Sequence, residues 1–161
     1  MSAPRPAASR QAPQGGPENS GTALRFLEST YLLDTNIISD LIRNPAGAAA
    51  QRVAHIGAKA IFTSIVVAAE LRYGCAKKGS PKLLAKVESL LAAIPVLPLD
   101  IPADVQYGAI RADLEAAGQT IGMNDLLIAA HAKALACTLV TDNTREFNRI
   151  RGLKCENWLE R

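Results

Sequence analysis

Four acidic residues stand where an idle carboxylate is out of place. Asp34 ends the apolar run Tyr31-Leu32-Leu33, and Asp142 follows the β-branched run Thr138 to Thr141. Glu70 lies within the apolar segment Ile65 to Leu71, and Asp125 opens the apolar stretch Asp125 to Ala136. A charged side chain facing a packed interior is costly unless it is paired or binds a metal, so acids that converge call for a cation. Each acid also has a plainer use. Asp34 can cap the helix Thr35 to Asn44, Asp125 can favour a helix N-terminus, and Glu70 can face solvent beside Arg72. Taken together, oxygen donors without His or Cys suit Mg²⁺ or Mn²⁺ rather than zinc. Held by a few carboxylates, such an ion keeps water for phosphate chemistry, which points to phosphodiester hydrolysis.

Other chemistries lack their residues. Cys75, Cys137 and Cys155 are widely spaced with no Cys-x-x-Cys, and His55 and His131 stand outside any ligand pattern, so a zinc site or disulfide framework is not expected. They read as small buried or half-buried residues of a reduced, cytoplasmic protein. No Gly-x-x-x-x-Gly-Lys loop supports nucleotide hydrolysis. An aspartyl phosphatase would want a second acid two residues after Asp34, and that position is Asn36. No run reaches the roughly 18 apolar residues of a membrane span.

The elements that must position the acids alternate. Of 161 residues, 48% are hydrophobic and 20% charged, the size and balance of one globular domain. Residues 1–29 hold Pro4, Pro6, Pro13 and Pro17 and little that is large and apolar before Leu24; they are expected to be a disordered extension to a domain spanning 30–161. From Tyr31 the pattern predicts strand, helix to Pro45, a short helix over Ala48 to Ile56, strand at Ala60 to Thr63 and helix from Val66 to Cys75. It continues with an amphipathic helix through Leu83, Val87 and Leu91, a short edge strand within Ile94 to Leu99, and a helix from Pro102 to Ala117. A further helix is capped by Asn124, and the last strand covers Thr138 to Thr141. Strands alternating with helices imply an α/β fold on a parallel sheet, whose ligands bind beyond the carboxyl ends of the strands.

These segments also carry a resemblance. Tyr31-Leu-Leu-Asp-Thr-Asn-Ile-Ile-Ser-Asp40, Thr63-Ser-Ile-Val-Val-Ala-Ala-Glu-Leu-Arg-Tyr-Gly74, Ile121-Gly-Met-Asn-Asp-Leu-Leu-Ile-Ala-Ala-His131, and Leu139-Val-Thr-Asp-Asn-Thr-Arg-Glu-Phe147 with Glu156-Asn-Trp158 resemble, in that order, the PIN-domain ribonucleases, specifically VapC-type toxins of toxin–antitoxin modules. The resemblance implies an α/β/α sandwich on a mostly parallel sheet and Mg²⁺-dependent cleavage of RNA, transfer or ribosomal. It also implies a homodimer, inhibition by a VapB-type antitoxin, and contact with operator DNA only through the antitoxin. Its first three acids fall on Asp34, Glu70 and Asp125. For the fourth, many relatives have an acid where this chain has Asn143, leaving Glu146 or Asp142 as the nearby carboxylate. Thr35, Asn36 and Ser64 fall on small polar positions that orient acids or water. The alternative function is a catalytically weak module serving mainly in an antitoxin-containing repressor on DNA.

Charge supports a polyanionic partner. Arg72, Lys77, Lys78, Lys82 and Lys86 form a basic stretch after Glu70, and Arg145, Arg149, Arg151 and Lys154 cluster after the last strand, although the net charge is only +3. Aromatic residues are 4%, too few for base-stacking platforms, so shape and backbone are the expected means of recognition.

Overall fold

Leu32 and Leu33 are consecutive and both fully buried, which in a strand requires cover on both faces. They belong to β1 (Tyr31–Leu33), the centre of the sheet in a computed structural model that describes residues 29–159. Helices α1 (Thr35–Arg43) and α2 (Ala48–Ile56) lead to β2 (Ile61–Ser64). Helices α3 (Ile65–Lys78) and α4 (Pro81–Ala93) lead to β3 (Val96–Leu97). Helices α5 (Ala103–Ala116) and α6 (Met123–Ala134) lead to β4 (Thr138–Val140), and the short α7 (Thr144–Phe147) precedes β5 (Cys155–Glu156).

All four strand pairings are parallel, in the order β3-β2-β1-β4-β5, with helices on both sides of the sheet in an α/β/α arrangement. The chain grows outward from β1 through β2 to β3, then returns to the other side of β1 for β4. This reversal opens a crevice at the carboxyl ends of β1 and β4, the usual ligand position in such sheets. Asp34 and Thr141 sit at those two ends.

The alternation and most helix bounds match the sequence reading; β5, the short α7 and the start of α6 do not. A fifth strand, β5, pairs with β4 through Leu139 and Val140; two residues are too few to show a strand periodicity. Helix α6 starts at Met123 on an extended Gly122, so Asn124 and Asp125 lie inside the first turn and Asn124 is not the cap. The apolar face of α4 is mostly covered by its own chain: Val87 and Leu91 are buried, Leu83 and Leu90 half-buried, and Leu84 alone of its leucines is exposed. The extension expected over residues 1–29 lies, except for Ser29, outside the described residues. Cys75 and Cys137 are buried and Cys155 half-buried, all as free thiols. Among the described residues no helix is long and apolar enough to cross a membrane.

Two glycines make opposite predictions about stability. Gly79 ends α3 in the left-handed region, φ 60°, with nothing near a would-be Cβ, so Gly79→Ala meets backbone strain alone and should lower stability by about 1–2 kcal/mol. Gly108 lies inside α5 with the same open space and no such φ, so Gly108→Ala should raise it by about 0.5–1 kcal/mol. Urea unfolding of the two variants checks both signs.

Candidate metal centre

Asp34 is 4% exposed and both its oxygens are engaged. Thr35 N donates to Oδ1 at 2.8 Å, which makes Asp34 the N-cap of α1, and Thr141 Oγ1 donates to Oδ2 at 2.7 Å from the end of β4. The capping use foreseen for this residue is therefore real, but it occupies one oxygen and leaves the carboxylate in the crevice. Asn36 spans the same gap. Its Nδ2 lies 3.5 Å from Asp34 Oδ2 and 3.4 Å from Thr141 Oγ1, while its Oδ1 accepts from Asp142 N at 3.0 Å. Burial raises the Asp34 pKa above the ordinary carboxylate range, opposed by the bonds from Thr141 and Thr35.

Glu70 reaches the crevice from α3. It is not the partner of Arg72, whose guanidinium is taken by Glu88 in a two-pronged pair at 2.8 and 3.0 Å. Burial first, and then the charge of Asp34, raise the Glu70 pKa, while the neighbouring Thr35 side chain favours its ionised form. Even so, Glu70 Oε1 and Thr35 Oγ1 are buried without meeting hydrogen-bond geometry to any group. A buried carboxylate oxygen with no donor is rare in folded proteins and calls for a partner, which an ordered water or an ion can supply.

Asp125 stands in the first turn of α6, where the helix dipole favours its charge. Its pKa is nonetheless pushed up to about 6, first by burial, then by the charges of Asp34, Glu146 and Glu70, and by its contact with the Glu146 carboxyl. Two carboxyl groups within hydrogen-bonding reach are stable only with a shared proton or a cation. Glu146, on α7, is held from the other side by Asn143 Nδ2 at 3.0 Å, and Asn143 N donates to Thr141 Oγ1 at 3.0 Å.

Of the three residues considered for the fourth position, Glu146 is thus the one brought to Asp125. Asp142 accepts from Asn157 Nδ2 at 3.1 Å and is not among the charges acting on Asp125, and Asn143 serves as a donor. Ser64 makes its side-chain bonds to Val66 N and His131 and to no acid. Thr141 is the residue that sequence reasoning missed; its partner Asp34 lies 107 positions away, and only its place at a strand end hinted at it.

The four carboxylates share one electrostatic neighbourhood. Among the described residues no three His, Cys, Asp or Glu side chains are drawn tightly enough to ligate one ion as they stand. The donor set still fits a hard divalent cation: every group is a carboxylate or a hydroxyl, one buried oxygen lacks a donor, and burial together with mutual repulsion raises two of the pKa values.

Two cavities border the cluster's elements. One, of about 200 Å³, runs from Thr35 and Glu70 between α1, α3 and α4, with Arg43 and Lys78 beside Ile42 and Leu83. The other, of about 220 Å³, is lined by Lys133, Arg149 and Arg151 together with Asp113.

The PIN domain family matches residues 31–153. The chain is 37% identical over 129 residues to the tRNA(fMet)-specific endonuclease VapC of Shigella flexneri, an alignment covering 80% of this chain and 97% of that protein. Among solved structures, VapBC2 from Rickettsia felis bound to a DNA fragment from its promoter aligns with a TM-score of 0.74 and 37% identity, over 80% of this chain and 98% of that one. DNA-bound VapBC from Salmonella typhimurium aligns with a TM-score of 0.74 and 34% identity, over 81% and 99%.

The raised pKa of Asp125 carries a sign. Its folded value of about 6 exceeds the ordinary 3.8, so the folded chain holds a proton that the unfolded chain gives up between those pH values. This group's contribution to stability is full below the lower value and is lost as pH rises through the upper one. In EDTA, Asp125→Asn should melt higher than the wild type at pH 7.5, and the gain should disappear on acidification to about pH 3.8, as thermal melts across that range would show.

Proposed function

The chain belongs to the PIN-domain family, and from that premise we propose that it is the VapC-type endoribonuclease of a toxin–antitoxin pair, with Asp34, Glu70, Asp125 and Glu146 holding its divalent cation. The observation that carries the site is the gathering of these acids at the β1–β4 reversal, with Glu70 Oε1 buried and without a donor. Magnesium is the cation of choice for such donors, with manganese able to replace it.

When bound, the cation lowers the pKa of an attacking water and neutralises charge that grows on the scissile phosphate. The chain's residues prepare for this in separate ways. Thr35 N and Thr141 fix the Asp34 carboxylate, Asn143 holds Glu146 against Asp125, and Thr35 lies beside Glu70. Four carboxylates repel a phosphodiester unless their charge is neutralised, which couples substrate binding to occupancy of the site. No side-chain nucleophile takes part: His131, a helical turn and a half beyond Asp125, is buried and bonded to Ser64. In-line attack by water leaves a 5′-phosphate and a 3′-hydroxyl.

Partners follow the same reading. The Shigella relative's name makes a transfer RNA the first substrate to test. Lys133, Arg149 and Arg151 supply a basic surface for its backbone. The groove from Glu70 past Leu83, bearing Arg43 and Lys78, is the face on which a VapB-type antitoxin segment blocks the acids. Operator DNA is met through that antitoxin, a reading supported by the similarity to VapBC complexes from Rickettsia and Salmonella that are bound to DNA. For a homodimer, Leu99, Ile101 and Val105 are exposed apolar side chains around the start of α5, whereas on α4 the exposed leucine is Leu84. The protein acts in the cytoplasm, where its substrate is.

Cleavage of end-labelled transfer RNA tests the proposal. Activity should require Mg²⁺ or Mn²⁺, stop in EDTA and leave 3′-hydroxyl ends. Asn is as good an N-cap as Asp, so Asp34→Asn should keep the circular-dichroism spectrum while losing on the order of 100-fold or more of the activity. A 2′,3′-cyclic phosphate product, or undiminished cleavage in EDTA, would overturn the mechanism.

A further inference from the structure

His131 is a histidine that the cleavage mechanism does not use, and its surroundings define its protonation. It is 2% exposed, Ser64 is fully buried, and His131 Nδ1 lies 2.8 Å from Ser64 Oγ. Ser64 Oγ accepts from Val66 N at 3.1 Å as the cap of α3. The ring also bonds the backbone of Pro98. Proline has no N–H, so its carbonyl accepts, and with Nδ1 placed on Ser64 the nitrogen left to donate is Nε2. Burial holds the pKa below the usual histidine range and keeps the ring neutral. Nδ1 is then bare and accepts the Ser64 hydroxyl proton. Both ring nitrogens are satisfied only in this tautomer.

The bond joins the two helices that carry acids. Ser64 caps α3, and Glu70 follows it by six residues; His131 is on α6, and Asp125 precedes it by six residues. At 1.5 Å per residue each carboxylate is about 9 Å along its helix from the joint. The buried residues of α6 are Leu126, Ile128 and, flanking His131, Ala129, Ala130 and Ala132, the alanines being too small to interlock deeply with a neighbour. Apolar packing is non-directional, and it fixes how closely α6 approaches better than it fixes the axial position. A directional bond between buried groups specifies that position.

We infer that His131 is a positioning residue: through Ser64 it sets the axial register of α6 against α3, and so the placement of Asp125 relative to Glu70 for binding the cation. The inference rests on the proposed carboxylate site. Two single variants separate the ring's two bonds. In His131→Asn the amide oxygen can replace Nδ1 as acceptor for Ser64; in His131→Gln the amide nitrogen can replace Nε2 as donor to Pro98. Each loses one hydrogen bond, so a purely structural role predicts similar melting temperatures and similar metal binding.

Mn²⁺ affinity of the full chain, from electron paramagnetic resonance of the free ion, is the readout. His131→Asn should bind as the wild type does, and His131→Gln should bind about 10-fold or more weakly, the usual effect of losing a group that orients ligands. Equal affinities in the two variants would overturn the inference. If His131→Gln does not fold, Ser64→Ala removes the same bond from the other side and should show the same loss; wild-type affinity there would also overturn it. A crystal structure of the Gln variant, or of Ser64→Ala in its place, judges the joint without any metal: α6 should be displaced along α3, and an undisplaced helix refutes the inference. A wild type that fails to bind Mn²⁺ would instead sink the carboxylate site, leaving that displacement to decide on His131.

Discussion

Asp34 and Thr141 lie at adjacent strand ends, and the 2.7 Å bond from Thr141 Oγ1 to Asp34 Oδ2 spans the point where the order of the sheet reverses. A carboxylate so nearly removed from water retains its charge only with donors on its oxygens, and Asp34 has Thr35 N on one and Thr141, with the longer contact from Asn36, on the other. The same bond ties the start of α1 to the segment from which Asn143 and Glu146 follow. Leaving either group without its partner would cost about 1–3 kcal/mol, and more for the charged one. The other three acids are arranged around this closed point.

What surrounds that point is in tension with it. Burial and like charge act together on Asp125 and Glu70, while the apolar interior built on Leu32, Leu33, Ile37, Ile128, Leu139 and Phe147 holds their elements in place. Local interactions thus oppose the fold in one region and support it elsewhere, a pattern characteristic of functional sites. The neutral groups near the acids temper the opposition. Asn143 gives Glu146 a donor without adding a charge; a carboxylate there would add to the repulsion acting on Asp125.

Legibility in the sequence followed interaction range. Strand and helix alternation is written in neighbouring residues, so β1, β2, β4 and the main helices could be read from apolar periodicity, as could the odd placement of Asp34, Glu70 and Asp125. Two-residue β5 has no periodicity to read, and its pairing depends on where β4 lies. The start of α6 was misplaced because a good capping residue, Asn124, stands two positions past the true cap, and the extended Gly122 makes no side-chain cap. Thr141 and the Ser64–His131 pair were invisible for another reason. Their partners lie 107 and 67 positions away, distances that only the folded topology closes. The use of Arg72 was missed likewise: beside Glu70 in the chain, it is bound instead by Glu88 across the α3–α4 turn.

Both outer strands of the sheet, β3 and β5, are only two residues long, and Pro95 and Pro98 flank β3. An edge this short presents almost no ladder of free amides and carbonyls, which protects a parallel sheet from joining its neighbours into fibrils. It also denies a partner the sequence-tolerant grip of strand addition. A protein that captures this one must instead read side chains in grooves such as the one beside Glu70, where a single mismatched residue leaves a gap or an unpaired charge. Genomes that carry several related pairs of this kind could keep them from cross-reacting through that dependence on side-chain fit.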